Sequence, residues 1–343
     1  MNELEALCKN LKKDFSPKNQ DFSKPAHFWS ENDILNDKIV NTFVIIFRTR
    51  GCSWARQSGC SMCGYFNDSI WKDVSDDDLL KQFDYAMKSY SNQKFVKIFT
   101  SGSFLDDREI TPKVRKEILN KLVETTEKIS VESRPEYVKE KTLKEIKSIC
   151  KKFEIGIGLE TASDYIRKNC LNKGFTFKDY KNAADKLKKQ HIDLKTYVLI
   201  KPPFLTEKES IDDAIETVEK IKAITNSISF NPTNVQNNTV VNYLWKRKKF
   251  RPAWLFSIVE ILKESKKIAS NIRMKCDIVG GGSIRGAHNC EFCDRKFLDA
   301  ISEFSLLQDT DIFNKLDCNC KEKWLDQLDI EDLGFGSLAN IYG

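Results

Sequence analysis

Along the chain, short apolar or alternating runs trade places with longer stretches of helical period. Residues 40–48, with Phe43, Val44, Ile45 and Ile46, read as a buried strand. Ser75 followed by three aspartates suits the start of a helix over 79–88, because an N-cap hydroxyl and first-turn acids satisfy and complement the free N–H groups. Residues 94–100 alternate as a strand. Residues 111–126 carry Val114, Ile118 and Leu122 on one helical stripe. The pattern repeats: strand 128–135, helix 139–153, strand 154–160, helix 177–190, strand 192–203 closed by Pro202 and Pro203, helix 207–224, strand 227–230. Six strands alternating with helices predict an α/β fold with a parallel sheet. Upstream, Leu4, Leu7 and Leu11 suit a short amphipathic helix. Pro17 and Pro25 interrupt regular structure after it, so 1–37 reads as an N-terminal extension that straps the main domain.

Composition narrows the class. A chain of 343 residues with 41% hydrophobic content can bury a sizeable core. No apolar run reaches the ~18 residues of a membrane span, and acids occupy the N-terminus where a signal peptide carries bases, so a cytoplasmic protein with no membrane association is expected. Eleven cysteines then argue for metal ligation rather than disulfides. The net charge of +6 permits an anionic partner without demanding one.

The first strand delivers Cys52, Cys60 and Cys63 at spacing C-x7-C-x2-C. Gly51, Gly59 and several serines make this segment read as a loop rather than a helix. It stands at the C-terminal end of a strand, where α/β folds build their sites. Three thiolates leave one corner of a four-iron cluster without a protein ligand, and an open position separates a reactive metal site from a structural one. A structural zinc is the rival; it needs a fourth ligand, and His27, His191 and His288 all lie far from the loop in sequence.

This cysteine pattern resembles the radical SAM superfamily, in its longer-loop branch with the elongator catalytic subunit. Residues 52–56, 60–65 and 285–294 further resemble the radical SAM subunit of archaeosine synthase, over about residues 38 to 328. The resemblance implies a partial (β/α)6 barrel over 38–275 and a [4Fe-4S] cluster on Cys52, Cys60 and Cys63. The free iron would bind S-adenosylmethionine, whose reductive cleavage yields a primary carbon radical; an external electron donor is then required. Cofactor contacts carry over to Tyr65, to the turn Ser101, Gly102 and Ser103, to Glu132 and Arg134, and to Glu160. The acid common in the turn motif is absent from 101–103. The implied substrate is archaeal tRNA whose 7-cyano-7-deazaguanine nucleotide carries a lysine added by a partner subunit. The implied reaction cleaves the lysine C–N bond to leave archaeosine.

Three further stretches carry chemical signals. Gly156 and Gly158 precede Glu160, but no G-x-G-x-x-G turn opens a helix there, so a dinucleotide site is not indicated. Residues 244–254 interleave Trp245, Phe250 and Trp254 with Lys246, Arg247, Lys248, Lys249 and Arg251, the phosphate-plus-stacking chemistry of RNA contact. Cys290, Cys293, Cys318 and Cys320 can close a tetrahedral zinc in a small Cys-rich module over 276–343, with His288 and Cys276 as reserve ligands. No acid–base constellation stands out as catalytic. Two other readings stay open: a different radical SAM modification of tRNA, and a non-catalytic RNA-binding protein with structural zincs.

Overall fold

A computed structural model describes residues 3–333 except 14 and 17–19, which leaves Pro17 outside the described residues. Eight strands form one curled half-barrel sheet in sequential order: β1 (His27–Leu35), β2 (Lys38–Ile46), β3 (Phe95–Phe99), β4 (Lys128–Glu132), β5 (Lys152–Glu160), β6 (Asp193–Ile200), β7 (Ser227–Pro232) and β8 (Arg273–Cys276). From β2 onward every neighbouring pair is parallel. The six expected strands are β2 to β7. The sheet adds one strand at each edge.

β1 lies in the stretch expected to be an irregular extension. It pairs antiparallel with β2 through Asn36 and Asp37, both at positive φ (51° and 59°), a two-residue turn whose twist matches the flanking strands. β8 is only four residues long, Arg273–Cys276, and alternates charge with Met274 and Cys276. Too few apolar positions mark it in sequence.

Alternation gives the sheet two chemically distinct faces. Phe43, Ile45, Val96, Ile98, Ile129, Val131, Ile155, Ile157, Ile228 and Phe230 belong to the main apolar core, with the helices. The strand residues that alternate with such core positions face the concave side: Lys97, Ser130, Glu154, Lys195, Ser229 and Lys275. These concave groups pair across strands. Glu154 accepts from Lys128 and from Lys195, each at 2.6 Å, and from Ser130 at 2.8 Å. Lys97 pairs with Glu31 at 2.6 Å and with Asp33. Asp33 also meets Arg273, and Glu31 lies 3.3 Å from Lys275. β1 and β8 are not paired through their backbones, so these side chains bridge the two edges of the sheet.

The helices start as their caps dictate. Ser75 accepts from Asp78 N–H at the head of Asp76–Met87, and Thr206 forms a reciprocal cap with Glu209 before Glu207–Ile221. The core continues without a break into Phe297, Phe304, Phe313 and Trp324 of the C-terminal segment. Among the described residues no helix is long and apolar enough to cross a membrane.

Candidate functional site

The cysteine segment follows β2, whose extension Phe47 donates to Phe99 O of β3. Contrary to the loop reading, it contains one helical stretch, Ser53–Gln57, with Cys52 at its N-cap. Gly51 (φ 85°) and Gly59 (φ 87°) bracket this turn, and Ala55 and Arg56 favour helix once the glycines have set its ends.

Four distant pieces of chain hold the segment. From the N-terminal strap, Lys12 donates to Ala55 O at 2.9 Å and to Ser58 O. After β5, Asn172 donates to Ser58 Oγ and Gly59 O at 2.6 and 2.8 Å, Cys170 O accepts from Ser61 Oγ, and Trp54 Nε1 donates to Asn172 O. After β7, Gln236 Oε1 accepts from Gly64 N–H. Beside β3, Gly102 packs so closely that a Cβ there would lie 2.7 Å from Cys52 Cα.

The missing acid of the 101–103 turn has a counterpart from elsewhere. Buried Glu109 accepts from Ser103 N–H at 2.6 Å and from Thr49 Oγ1, tying the turn to the start of the cysteine segment. Burial pushes its carboxyl up to about 7. Ser103 Oγ accepts from Arg134 N–H at 3.0 Å.

Along the strand ends, Glu132 shares a hydrogen bond with Tyr197, and burial raises its carboxyl. Arg134 pairs with Glu136 rather than with Glu132. Its guanidinium donates to Lys173 O at 3.1 Å and lies 5.7 Å from the Trp54 ring and 5.3 Å from the Phe175 ring. Glu160 pairs with Lys173 at 2.6 Å. The two glycines of β5 make this possible: a Cβ at Gly156 would strike the Tyr197 ring, and one at Gly158 would crowd Glu160 and Lys173. Burial lowers Lys173, but Glu160 and Cys60 more than offset it, and its ammonium is held charged. Tyr65 is 57% exposed and reaches Gln236.

Ser101, Gly102, Ser103, Glu132, Arg134 and Glu160 therefore share one rim with Cys52, Cys60 and Cys63. Sequence reasoning missed Lys12, Glu109, Lys173, Tyr197 and Gln236. Each comes from a segment remote from the motif. Only the unexplained Gly156 and Gly158 hinted that bulky groups converge there.

The donor set of the loop suits a cluster. Burial and neighbouring Cys60 push the Cys63 thiol up to about 12, so ligation would release a proton there. Arg134, Lys173 and Lys12 supply the compensating positive field. The three sulfurs are not gathered to single-ion spacing, unlike those at the far end of the chain.

There, Cys290, Cys293, Cys318 and Cys320 have all four sulfurs within 4.8 Å of one another. The Cys290–Cys293, Cys290–Cys318 and Cys293–Cys320 separations are 3.6, 3.7 and 3.7 Å. A zinc with bonds of about 2.3 Å needs tetrahedral edges of about 3.8 Å. Asp294 accepts from Asn289 and Cys290 N–H groups, fixing the knuckle, and Asn289 Nδ2 donates to Cys293 Sγ. His288 and Cys276 stand outside this set. Cys170, whose carbonyl oxygen holds Ser61, is itself fully buried.

Comparison with known proteins agrees with this geometry. The profile of the radical SAM superfamily matches residues 46–218. The chain is 40% identical to archaeosine synthase subunit beta of Methanosarcina acetivorans over 321 residues, 92% of this chain and 93% of that protein. It is 37% identical to archaeosine synthase subunit beta of Thermococcus kodakarensis over 306 residues, 87% and 94% of the two chains. Among solved structures, Elp3 of the archaeon Methanocaldococcus infernus aligns over 61% of this chain and 54% of that one, at 18% identity and a TM-score of 0.46. With a three-cysteine segment at the head of a curled parallel sheet, a matching profile over half its length and relatives of this identity along nearly all of it, this chain belongs to the radical SAM superfamily, in the family that holds these archaeosine synthase beta subunits.

Proposed function

We propose that this chain is the radical SAM subunit of a tRNA-modifying enzyme, converting the lysine adduct of 7-cyano-7-deazaguanine in archaeal tRNA to archaeosine by cleaving the lysine C–N bond. The observation that carries this reading is the 40% identity, over 92% of the chain, to a protein named for that synthesis. In it, Cys52, Cys60 and Cys63 hold a [4Fe-4S] cluster. When bound, the cluster and S-adenosylmethionine supply a carbon-centred radical able to take hydrogen from an unactivated C–H.

The chain's own residues do the rest. Ser101, Gly102 and Ser103 bring backbone close to the cofactor's methionine end. Glu132, Arg134, Glu160 and Tyr65 line its path and orient it. Glu109 keeps the turn seated against Cys52, and Lys173 holds Glu160 in place through their 2.6 Å ion pair. The buried members of this rim, Ser103, Arg134 and Glu160, help to exclude water from a reactive species. Cys290, Cys293, Cys318 and Cys320 hold a structural zinc. The partners are tRNA, the lysine-transferring subunit and an external electron donor, in the archaeal cytoplasm.

Anaerobic reconstitution tests this. Expected are about four irons per chain on the loop, release of 5′-deoxyadenosine under dithionite, and archaeosine in the digest of lysine-modified tRNA. Cys60→Ala should abolish all three. A chain with zinc alone and no deoxyadenosine would overturn the reading and favour an RNA-binding zinc protein.

A further inference from the structure

A cleft of about 870 Å³ opens between the loop after β6 and a wall formed by Trp245, Lys246, residues 248–252, Ile284 and His288. The basic cluster seen in sequence divides here into two kinds of residue. Arg251 folds inward: it donates to Pro252 O and His288 O at 2.7 Å each and lies 3.9 Å over the Trp254 ring. Arg247 lies on the Tyr243 ring at 3.6 Å. Lys246, Lys248 and Lys249 are exposed, and among the described residues none of them has an acid partner. The acid in the cleft, Glu331, is engaged elsewhere, by Glu207 N–H and Gln327.

Trp245 and Phe250 are half-buried in the cleft wall beside exposed Ile284. Arg285 lies over the Trp245 ring at 4.8 Å, and Trp245 Nε1 donates to Ile284 O at 3.2 Å, which fixes the ring in place. Arg285 donates to Val235 O at 2.7 Å, and the next residue, Gln236, holds Gly64 of the cysteine segment. One short chain of contacts thus joins the cleft wall to the catalytic rim. A fixed aromatic wall next to three unpaired ammonium groups is the donor set that takes a nucleic-acid strand: cations for phosphates, a ring face for an unstacked base.

We propose that this cleft is the docking site for a loop of the RNA substrate, with Lys246, Lys248 and Lys249 on the backbone phosphates and Trp245 beneath a base. It rests on the tRNA reading above and adds where the tRNA is gripped. Binding of a full-length unmodified tRNA transcript to the reconstituted chain, followed across a salt series, tests it. The triple variant Lys246→Ala/Lys248→Ala/Lys249→Ala should reduce the slope of log affinity against log salt by about 2 to 3 and weaken low-salt binding about ten-fold or more. Its melting temperature and iron content should match the parent, because the three lysines are exposed. Trp245→Ala should weaken binding about ten-fold with the slope unchanged, and Trp245→Phe should restore it. A triple variant with parental slope and affinity would overturn the proposal while leaving the tRNA reading intact. Failure of the parent chain to bind the transcript would remove both.

Discussion

Single residues decide how tightly the site is built. Gly102 has backbone of another segment where a side chain would be: its Cβ would lie 2.7 Å from Cys52 Cα. Gly102→Ala should therefore shift the cysteine segment itself. The expected result is loss of most of the bound iron on reconstitution with little change in far-UV circular dichroism, read by iron assay and the cluster's absorbance. Asp213 is the second case. It is buried, accepts from Thr161 Oγ1 at 2.6 Å, and leaves its other oxygen without a partner. Burial pushes its carboxyl up to about 7. The folded-state value lies above the unfolded one, so its favourable contribution is full below about pH 4 and fades as pH rises through 7. Asp213→Asn should raise the melting temperature at pH 8, by an amount equivalent to at most about 4 kcal/mol, and the gain should shrink towards zero near pH 4. A gain independent of pH would show that the carboxyl stays ionised in the fold.

At the scale of elements, the concave face of the sheet depends on paired charges rather than apolar packing. Glu154 on β5 sits between Lys128 of β4 and Lys195 of β6, and the two lysines hold its carboxyl far below the usual carboxylate range despite burial. Glu154→Gln would leave two ammonium groups facing each other in a poorly hydrated groove. The expected loss is about 3 kcal/mol in urea unfolding near neutral pH. The sign follows from the depressed value: this stability is present above about pH 4.5 and disappears as pH falls further, so variant and parent should converge in acid. The helices behave differently. Asp76–Met87 begins at Ser75, as local capping chemistry requires, and this made its start legible without any tertiary information; in the fold Thr206 caps Glu207–Ile221 in the same way. β8 was not legible, because four residues with two charges carry no period; only its place beside β7 makes Arg273–Cys276 a strand.

At the scale of the whole molecule, the C-terminal cysteines close on the body of the fold. Trp324, four residues beyond Cys320, stacks at 5.4 Å on Phe256 and donates to Ser257 Oγ at 2.9 Å. Phe256 also packs edge-on to Phe297, three residues after Asp294. Metal at this site would therefore pin the helices Asp294–Leu307 and Lys321–Leu333 to the barrel. Cys318→Ser should remove about one zinc per chain, shift Trp fluorescence to the red and lower the melting temperature, while the loop retains its iron. Retention of zinc by this variant would place the metal elsewhere.

Relations between near neighbours along the chain specify the local part of this protein. Periods of two and 3.6 mark β2 to β7 and the helices between them, caps mark helix starts, and spacing groups Cys52 with Cys60 and Cys63 and pairs the C-terminal cysteines. Each of these signals is contained within about a dozen residues. Folding supplies the remainder, because curvature of the sheet brings together groups that no local pattern relates. It sets Lys12, Glu109, Lys173, Tyr197 and Gln236 around the cysteine segment, turns the concave face into a charged lattice, and bridges β1 to β8 through Asp33 and Arg273. It also separates, within one basic run, Arg251, which folds inward onto Trp254, from lysines that have no acid partner among the described residues. Charge and aromaticity are written in the sequence; which of those groups face water is settled only when the chain has folded.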